Sequence, residues 1–280
     1  MTRDDTKPAR LVEPRRWLAL GTVAATALAA SHPMAADDAG SADPETGSFV
    51  LAQGEGGEGE GEGEGRAAAD PATDDAAYLA ALGLVEGHLM AGLALYEEGA
   101  REAAATHMKH PEDEIYASLA PALEARGAPG FANALGALAG AVESGAPVGE
   151  VRAAHERVSE ALAAARAPVE ATPAARFGAV VRLARTAAEE YGIGVVDGKL
   201  ENAHEYQDAW GFLQVAKGIA GELAGSQDDR VAGVAEDVTS HLDSMLAAFP
   251  GVVPPETLAT DASKLHGEAA RIELAALRLD

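Results

Sequence analysis

The residues of this chain best equipped for chemistry are a few histidines set among acids. The densest polar cluster is His107-Met108-Lys109-His110-Pro111-Glu112-Asp113-Glu114. Imidazoles three residues apart share one side of a helical turn. Neutral imidazole with carboxylate suits iron, zinc or copper, and the Met108 thioether would add an affinity for Cu(I). Pro111 disfavours helical geometry at the residue before it. His110 is therefore expected at the N-cap of a new helix, with Glu112 and Glu114 in its first turn and the two histidines at a corner. A metal-free reading stands beside this one, because acids in a first turn and a histidine in a last turn stabilise helix ends through the helix dipole. His88 is the natural third ligand. It lies on the flank of an apolar stripe, where a boundary histidine packed against a neighbouring helix is the alternative.

Further along, Glu201-Asn202-Ala203-His204-Glu205 contains a Glu-x-x-His spacing. Ferritin-type di-iron bundles use that spacing twice, with two further glutamates. Here it occurs once, at a helix start, where Asn202 and Glu205 also read as a capping box. Di-iron oxidation is not expected, and His204 and Glu205 stand as candidate ligands only. His241 with Asp243, and His266 with Glu268, read as surface pairs. There is no cysteine, which excludes thiolate zinc sites and iron–sulfur clusters. HExxH, a GxSxG elbow and a glycine-rich phosphate loop after a strand are all missing from the sequence. No enzyme is expected. The formal charge of -24 argues against nucleic acid, whose phosphates repel such a surface, and leaves cations and basic partners.

These side chains need helices to hold them. The chain is rich in alanine and only 4% aromatic, a blend that favours helix because alanine loses no side-chain entropy there. Tyr78, Leu82, Val85, Leu89, Leu93 and Tyr96 recur at three- and four-residue steps, giving one stripe. Phe131, Leu135, Leu138 and Val142 mark another helix, and Pro147 opens a third with Val151, Val158 and Leu162 inward. Thr172 caps a helix with Pro173 at its first position and Gly192 at its expected end. Asn202 opens the next, Asp228 or Asp229 a further one, and the last begins near Asp261. No alternating stretch reads as a strand.

The expected fold is all-α: two antiparallel helical bundle units behind a signal peptide and a disordered acidic linker. Arg15-Arg16 followed by the apolar run Trp17–Ala30 reads as a secretory signal within residues 1–36. That run is too short to span a bilayer, and no later stretch is expected to try. Residues 37–73, with the Gly-Glu tract at 54–65, read as a solvated spacer. The two helical units are placed at 74–168 and 169–280. A periplasmic or secreted location follows, with no membrane span in the mature form.

The second unit resembles a known family. Tyr191 through Tyr206, with Val195-Val196-Asp197-Gly198-Lys199 and Asn202-Ala203-His204-Glu205-Tyr206, is similar to a run joining two helices in the extracytoplasmic region of bacterial high-affinity iron permeases. The resemblance spans at most residues 172–280. It implies a periplasmic partner in iron uptake, and makes Glu205 and Asp208 candidate functional acids. The membrane helices of the permeases, with their Arg-Glu-x-x-Glu motifs, have no counterpart here, so the chain is not itself the transporter. The HxxE signature of imelysin-like iron binders is also missing, since Asp113 follows His110. The expectation is an exported metal-binding accessory protein of an uptake system, with iron as the metal and copper or zinc as alternatives. Its partner would be a membrane permease or another uptake component. The candidate ligands are His88, His107, His110, Glu112, Glu114, His204 and Glu205. The alternative is a helical adaptor that docks to a membrane partner and binds no metal.

Overall fold

The computed structural model describes residues 69–279, apart from the side chains of Glu112, Asp113 and Glu114. The expected signal peptide and most of the expected linker lie outside the described residues. Asp74 opens α1 (Asp75–Glu97) by accepting a hydrogen bond from the Ala77 amide. A tight turn at Gly99, with φ +82°, leads into α2 (Arg101–His110). Then come α3 (Ala117–Ala125), α4 (Ala132–Glu143) and α5 (Val148–Arg166). Thr172 caps α6 (Pro173–Gly194), as the Thr-Pro pair predicts. After a short hairpin, Asn202, Asp228 and Asp261 cap α7 (Ala203–Ala224), α8 (Asp229–Leu246) and α9 (Ala262–Ala276) through their side chains.

Helices α6 to α9 close a four-helix ring in which each packs on the next and α9 returns to α6. Its core holds Phe177, Tyr191, Tyr206, Phe212, Leu242 and Ile272. Helices α1 to α5 enclose a second core around Tyr78, Leu89, Tyr96, Leu135 and Val158. α1 joins the two, lying along α6 and α7 on one side and α2 and α5 on the other. Its glycines permit this. A Cβ on Gly211 of α7 would sit 2.2 Å from the carbonyl oxygen of Gly87 on α1, so the helices cross backbone to backbone.

Five expectations are corrected. α2 does not end in a corner at His110, which has helical φ -48° and ψ -47° and runs directly into a π-helical turn over Pro111–Tyr116. A proline lacks its amide hydrogen and its ring crowds the carbonyl one turn back, and the wider i→i+5 turn accommodates both. α1 is long and apolar enough to cross a membrane by length and composition, contrary to the expectation that no such stretch follows the signal. It is 78% buried over that span, and serves as the shared core helix. α6 runs past Gly192 to Gly194, and the Asp197-Gly198 turn, with φ of 52° and 73°, joins two-residue strands Val195–Val196 and Lys199–Leu200 that were not expected. Positive φ at both positions is what a two-residue hairpin turn requires. Finally, residues 71–73, counted in the expected linker, belong to the described fold. Pro71 is buried, and its carbonyl accepts from Arg126 Nε at 2.8 Å.

A histidine–aspartate centre between α1, α2 and α7

Three helices bring four imidazoles around one carboxylate. α1 supplies His88, next to the Gly87–Gly211 crossing. α2 supplies His107 and His110, one turn apart. α7 supplies His204, Gln207 and Asp208, whose spacings of three and four put them on one helical face. The rings close a quadrilateral. Centroids are 4.8 Å apart from His88 to His110, 5.3 Å from His110 to His204, 4.2 Å from His204 to His107, and 6.3 Å from His107 to His88. Phe212 meets His88 edge-on at 5.0 Å, an apolar wall on the inner side.

Asp208 is 3% exposed and touches three of the rings. Its Oδ1 lies 2.5 Å from His88 Nδ1 and 2.9 Å from His107 Nδ1, and its Oδ2 lies 3.2 Å from His204 Nδ1. A buried carboxylate is costly unless it is paired. Burial alone would raise the Asp208 carboxyl, yet the imidazoles of His88 and His107 hold it well below the usual carboxylate range. It is therefore ionised at neutral pH.

The nitrogens around it are not all satisfied. His107 is fully buried, and its Nε2 donates to Gln207 Oε1 at 2.8 Å. Its Nδ1 lies 2.9 Å from Asp208 Oδ1 but without the alignment of a hydrogen bond. His204 Nε2 is likewise buried without a partner. Burial depresses the His204 ring to about 4, the charges of His107, His110 and His88 press the same way, and Asp208 opposes them. His204 is thus a neutral donor at pH 7. Imidazole nitrogens gathered around an ionised carboxylate form a donor set that suits a divalent transition cation. The residues present fit a metal.

The acids extend from Asp208 onto α6. Glu190 hydrogen-bonds to Glu205, and its carboxyl is pushed up to about 8, first by burial, then by that bond and by the charges of Glu205, Asp208 and Glu189. Asn202 organises this end of α7: its Oδ1 accepts from the His204 amide at 3.0 Å and its Nδ2 donates to Glu205 Oε1 at 3.3 Å. Tyr206, between His204 and Asp208, turns into the other face of α7 and donates to the Gly251 carbonyl at 2.8 Å. A cleft of about 900 Å³ opens beside the centre, with Arg101, Thr106, His110, His204, Glu205 and Gln207 on its walls.

Among the residues the sequence singled out, His88, His107, His110, His204 and Glu205 come together here. Glu112 and Glu114 fall in the π-helical turn, and their side chains are outside the described residues. His241 pairs with Glu268 at 2.7 Å rather than with Asp243. Gln207 and Glu190 were not foreseen, and Asp208 was marked only through the family resemblance. One signal was available for it: an aspartate four residues after His204 and four before Phe212, on a helix face otherwise destined for the interior.

Residues 167–276 match the model of the family described as the iron permease-associated 4-helix bundle domain. The match covers α6 to α9, the segment in which the resemblance was noted, and links the chain to iron permease-related proteins. No curated protein and no solved structure matches the chain. The matched bundle contributes Glu190, His204, Glu205, Gln207 and Asp208, while His88, His107 and His110 come from helices that precede it.

Proposed function

We propose that this protein binds a transition-metal ion at the centre formed by His88, His107, His110, His204 and Asp208, and acts by holding the metal rather than by catalysis. The observation that carries this reading is the fully buried His107, whose Nδ1 faces an ionised carboxylate with no hydrogen bond of its own. A purely structural network of this burial pairs its polar atoms. The likeness of α6 to α9 to an iron permease-associated domain supports iron as the physiological ion, delivered to or received from a membrane permease. An extracytoplasmic location, periplasmic or secreted, agrees with the apolar run behind Arg15-Arg16 and with that likeness. The cleft beside His110 and His204 gives the ion a way in.

Calorimetric titration of the metal-free, full-length protein with Fe²⁺ under anaerobic conditions, and with Zn²⁺ and Cu²⁺ in parallel, tests the reading. Micromolar or tighter binding is expected. His107→Ala with Asp208→Asn should weaken it at least 100-fold, because a ligand and its charge are lost together. Binding no tighter than millimolar, or binding indifferent to those substitutions, overturns the proposal.

A further inference from the structure

The centre has one feature that a single ion does not explain: Asp208 presents its two oxygens to two different sets of donors. Oδ1 faces His88 and His107, and Oδ2 faces His204. The donor atoms of His88, His107 and Asp208 lie within 4.8 Å of one another, all three residues being buried. Those of His204, Glu205 and Asp208 satisfy the same limit, with His204 and Glu205 only half-buried, toward the cleft. The two sets meet at Asp208. Each mixes imidazole with carboxylate, the donor chemistry of first-row divalent ions. Each also contains a buried ring nitrogen that makes no aligned hydrogen bond, Nδ1 of His107 in the inner set and Nε2 of His204 in the outer.

Charge points the same way. The outer set draws on α6 as well, where Glu190 hydrogen-bonds to Glu205. Glu190 thereby adds a third carboxyl beside Glu205 and Asp208.

We propose that the centre holds two divalent cations, an inner one at His88, His107 and Asp208 and an outer one at His204, Asp208 and Glu205, with Asp208 as the bridging carboxylate and Glu190 supporting Glu205. The inference rests on the metal-binding reading above and deepens it. Bridged ions in two-metal sites sit about 3.5–4 Å apart, a spacing that opposite oxygens of one carboxylate accommodate. The inner position is sealed by helices and the outer one adjoins the cleft. Ions therefore enter and leave through the outer site, which makes its occupant the exchangeable one.

The test uses metal-free full-length protein titrated with Mn²⁺ and with Co²⁺ in a buffer whose chelator suppresses weak surface sites. Wild type should take up two equivalents, with the Mn²⁺ paramagnetic resonance signal showing magnetic coupling between the pair. Glu205→Gln, a substitution of equal size in a half-exposed first turn, should reduce uptake to one equivalent and abolish the coupling. Glu190→Gln should weaken the second equivalent by about tenfold, the lower end of what loss of an outer partner costs a metal site. Asp208→Asn should weaken both. Circular dichroism checks that each variant keeps its helices. Uptake of a single equivalent by wild type overturns this inference while leaving the metal-binding reading intact. Two equivalents that ignore Glu205→Gln overturn the assignment of the outer site. No uptake at all removes both proposals.

Discussion

A close backbone approach between α1 and α7 sets the geometry of the centre, and a single methyl group there tests it. Gly211 lies three residues after Asp208, and Gly87 immediately precedes His88. A Cβ at Gly211 would stand 2.2 Å from the Gly87 carbonyl oxygen, 2.8 Å from its carbonyl carbon and 3.3 Å from its Cα. All three are backbone atoms with no rotamer to yield. A carbon and an oxygen settle at about 3.3–3.6 Å, so Gly211→Ala must part α1 and α7 by a little over ~1 Å. The His88–Asp208 hydrogen bond, now 2.5 Å, would stretch beyond the ~3.2 Å at which such a bond is effective. Overpacking of this kind costs about 1–3 kcal/mol. It belongs at the upper end here because both partners are backbone, and the better helix propensity of alanine returns up to about 1 kcal/mol. The expected net loss is about 2 kcal/mol, a fall of roughly 4–8 °C in Tm for a domain of this size. Gly221→Ala on the same helix is the control, since nothing lies within 4 Å of a Cβ there. It should raise Tm by up to about 4 °C through propensity alone. Thermal unfolding followed by circular dichroism, with metal titration of the same samples, reads both effects. If Gly211→Ala and Gly221→Ala behave alike in Tm and in metal affinity, the glycine crossing does not position the centre.

Other consequences can be checked separately. In metal-free protein the Glu190 carboxyl is raised to about 8 from an unfolded value near 4.5, so the native state binds the extra proton between those limits and stability declines as pH rises from about 4.5 to 8. Glu190→Gln should flatten that decline in chemical denaturation at pH 5, 6, 7 and 8, and an unchanged slope would contradict the assignment. His204 works in the opposite sense: with its ring depressed to about 4, stability is complete above about 6.5 and drops as pH falls toward 4. Its ring resonances in NMR should stay those of a neutral imidazole down to about pH 5, and a midpoint near 6.5 would refute the burial argument. Metal binding should release protons, because the Glu190 carboxyl proton stands where a cation acts. Calorimetry in buffers of different ionisation enthalpy measures their number, and zero release tells against this site. Gly194→Ala should destabilise the protein, since its Cβ would meet the Tyr206 amide at 2.7 Å and the Asn202 carbonyl oxygen at 2.9 Å, whereas Gly92→Ala meets only the flexible end of Met108 and should cost far less.

Most of the helices could be read from residue types because their signals are local. Thr172-Pro173, Asp228 and Asp261 cap where side-chain chemistry says they should, and the Tyr78–Tyr96 stripe is the buried face of α1. The misreadings arose where tertiary contacts overrule local preference. Pro111 breaks a helix in isolation, but here the turn is widened and held between α1 and α4, so the chain continues and keeps His107 and His110 on one face. α1 looks fit for a membrane because it is apolar on several faces, and the reason is that it is wrapped by α2, α5, α6 and α7. The histidines were visible as donors, but their convergence was not. Whether His88 meets His107 depends on a helix crossing set by Gly87 and Gly211, two residues with no chemistry of their own.

The division of labour across that crossing bears on how the centre evolved its burial. The matched bundle alone carries His204, Glu205, Gln207, Asp208 and Glu190, an acid-rich set on the surface α7 would expose if α1 and α2 were absent. Exposed carboxylates with one imidazole hold a divalent ion weakly and with little choice among ions. Laying α1 and α2 across this face adds three imidazoles, removes water from Asp208 and fixes Gln207 against His107. The added imidazoles shift the donor set from oxygen toward nitrogen, and so from magnesium and calcium toward iron, zinc and copper. On the proposed metal-binding reading, α1 and α2 confer selectivity while α7 supplies the charge. Replacing His88, His107 and His110 together by glutamine should therefore do more than weaken binding: it should narrow the preference for Zn²⁺ over Mg²⁺ by orders of magnitude in competition titrations. A triple variant that loses affinity for both ions in equal proportion would show that selectivity resides in α7 alone.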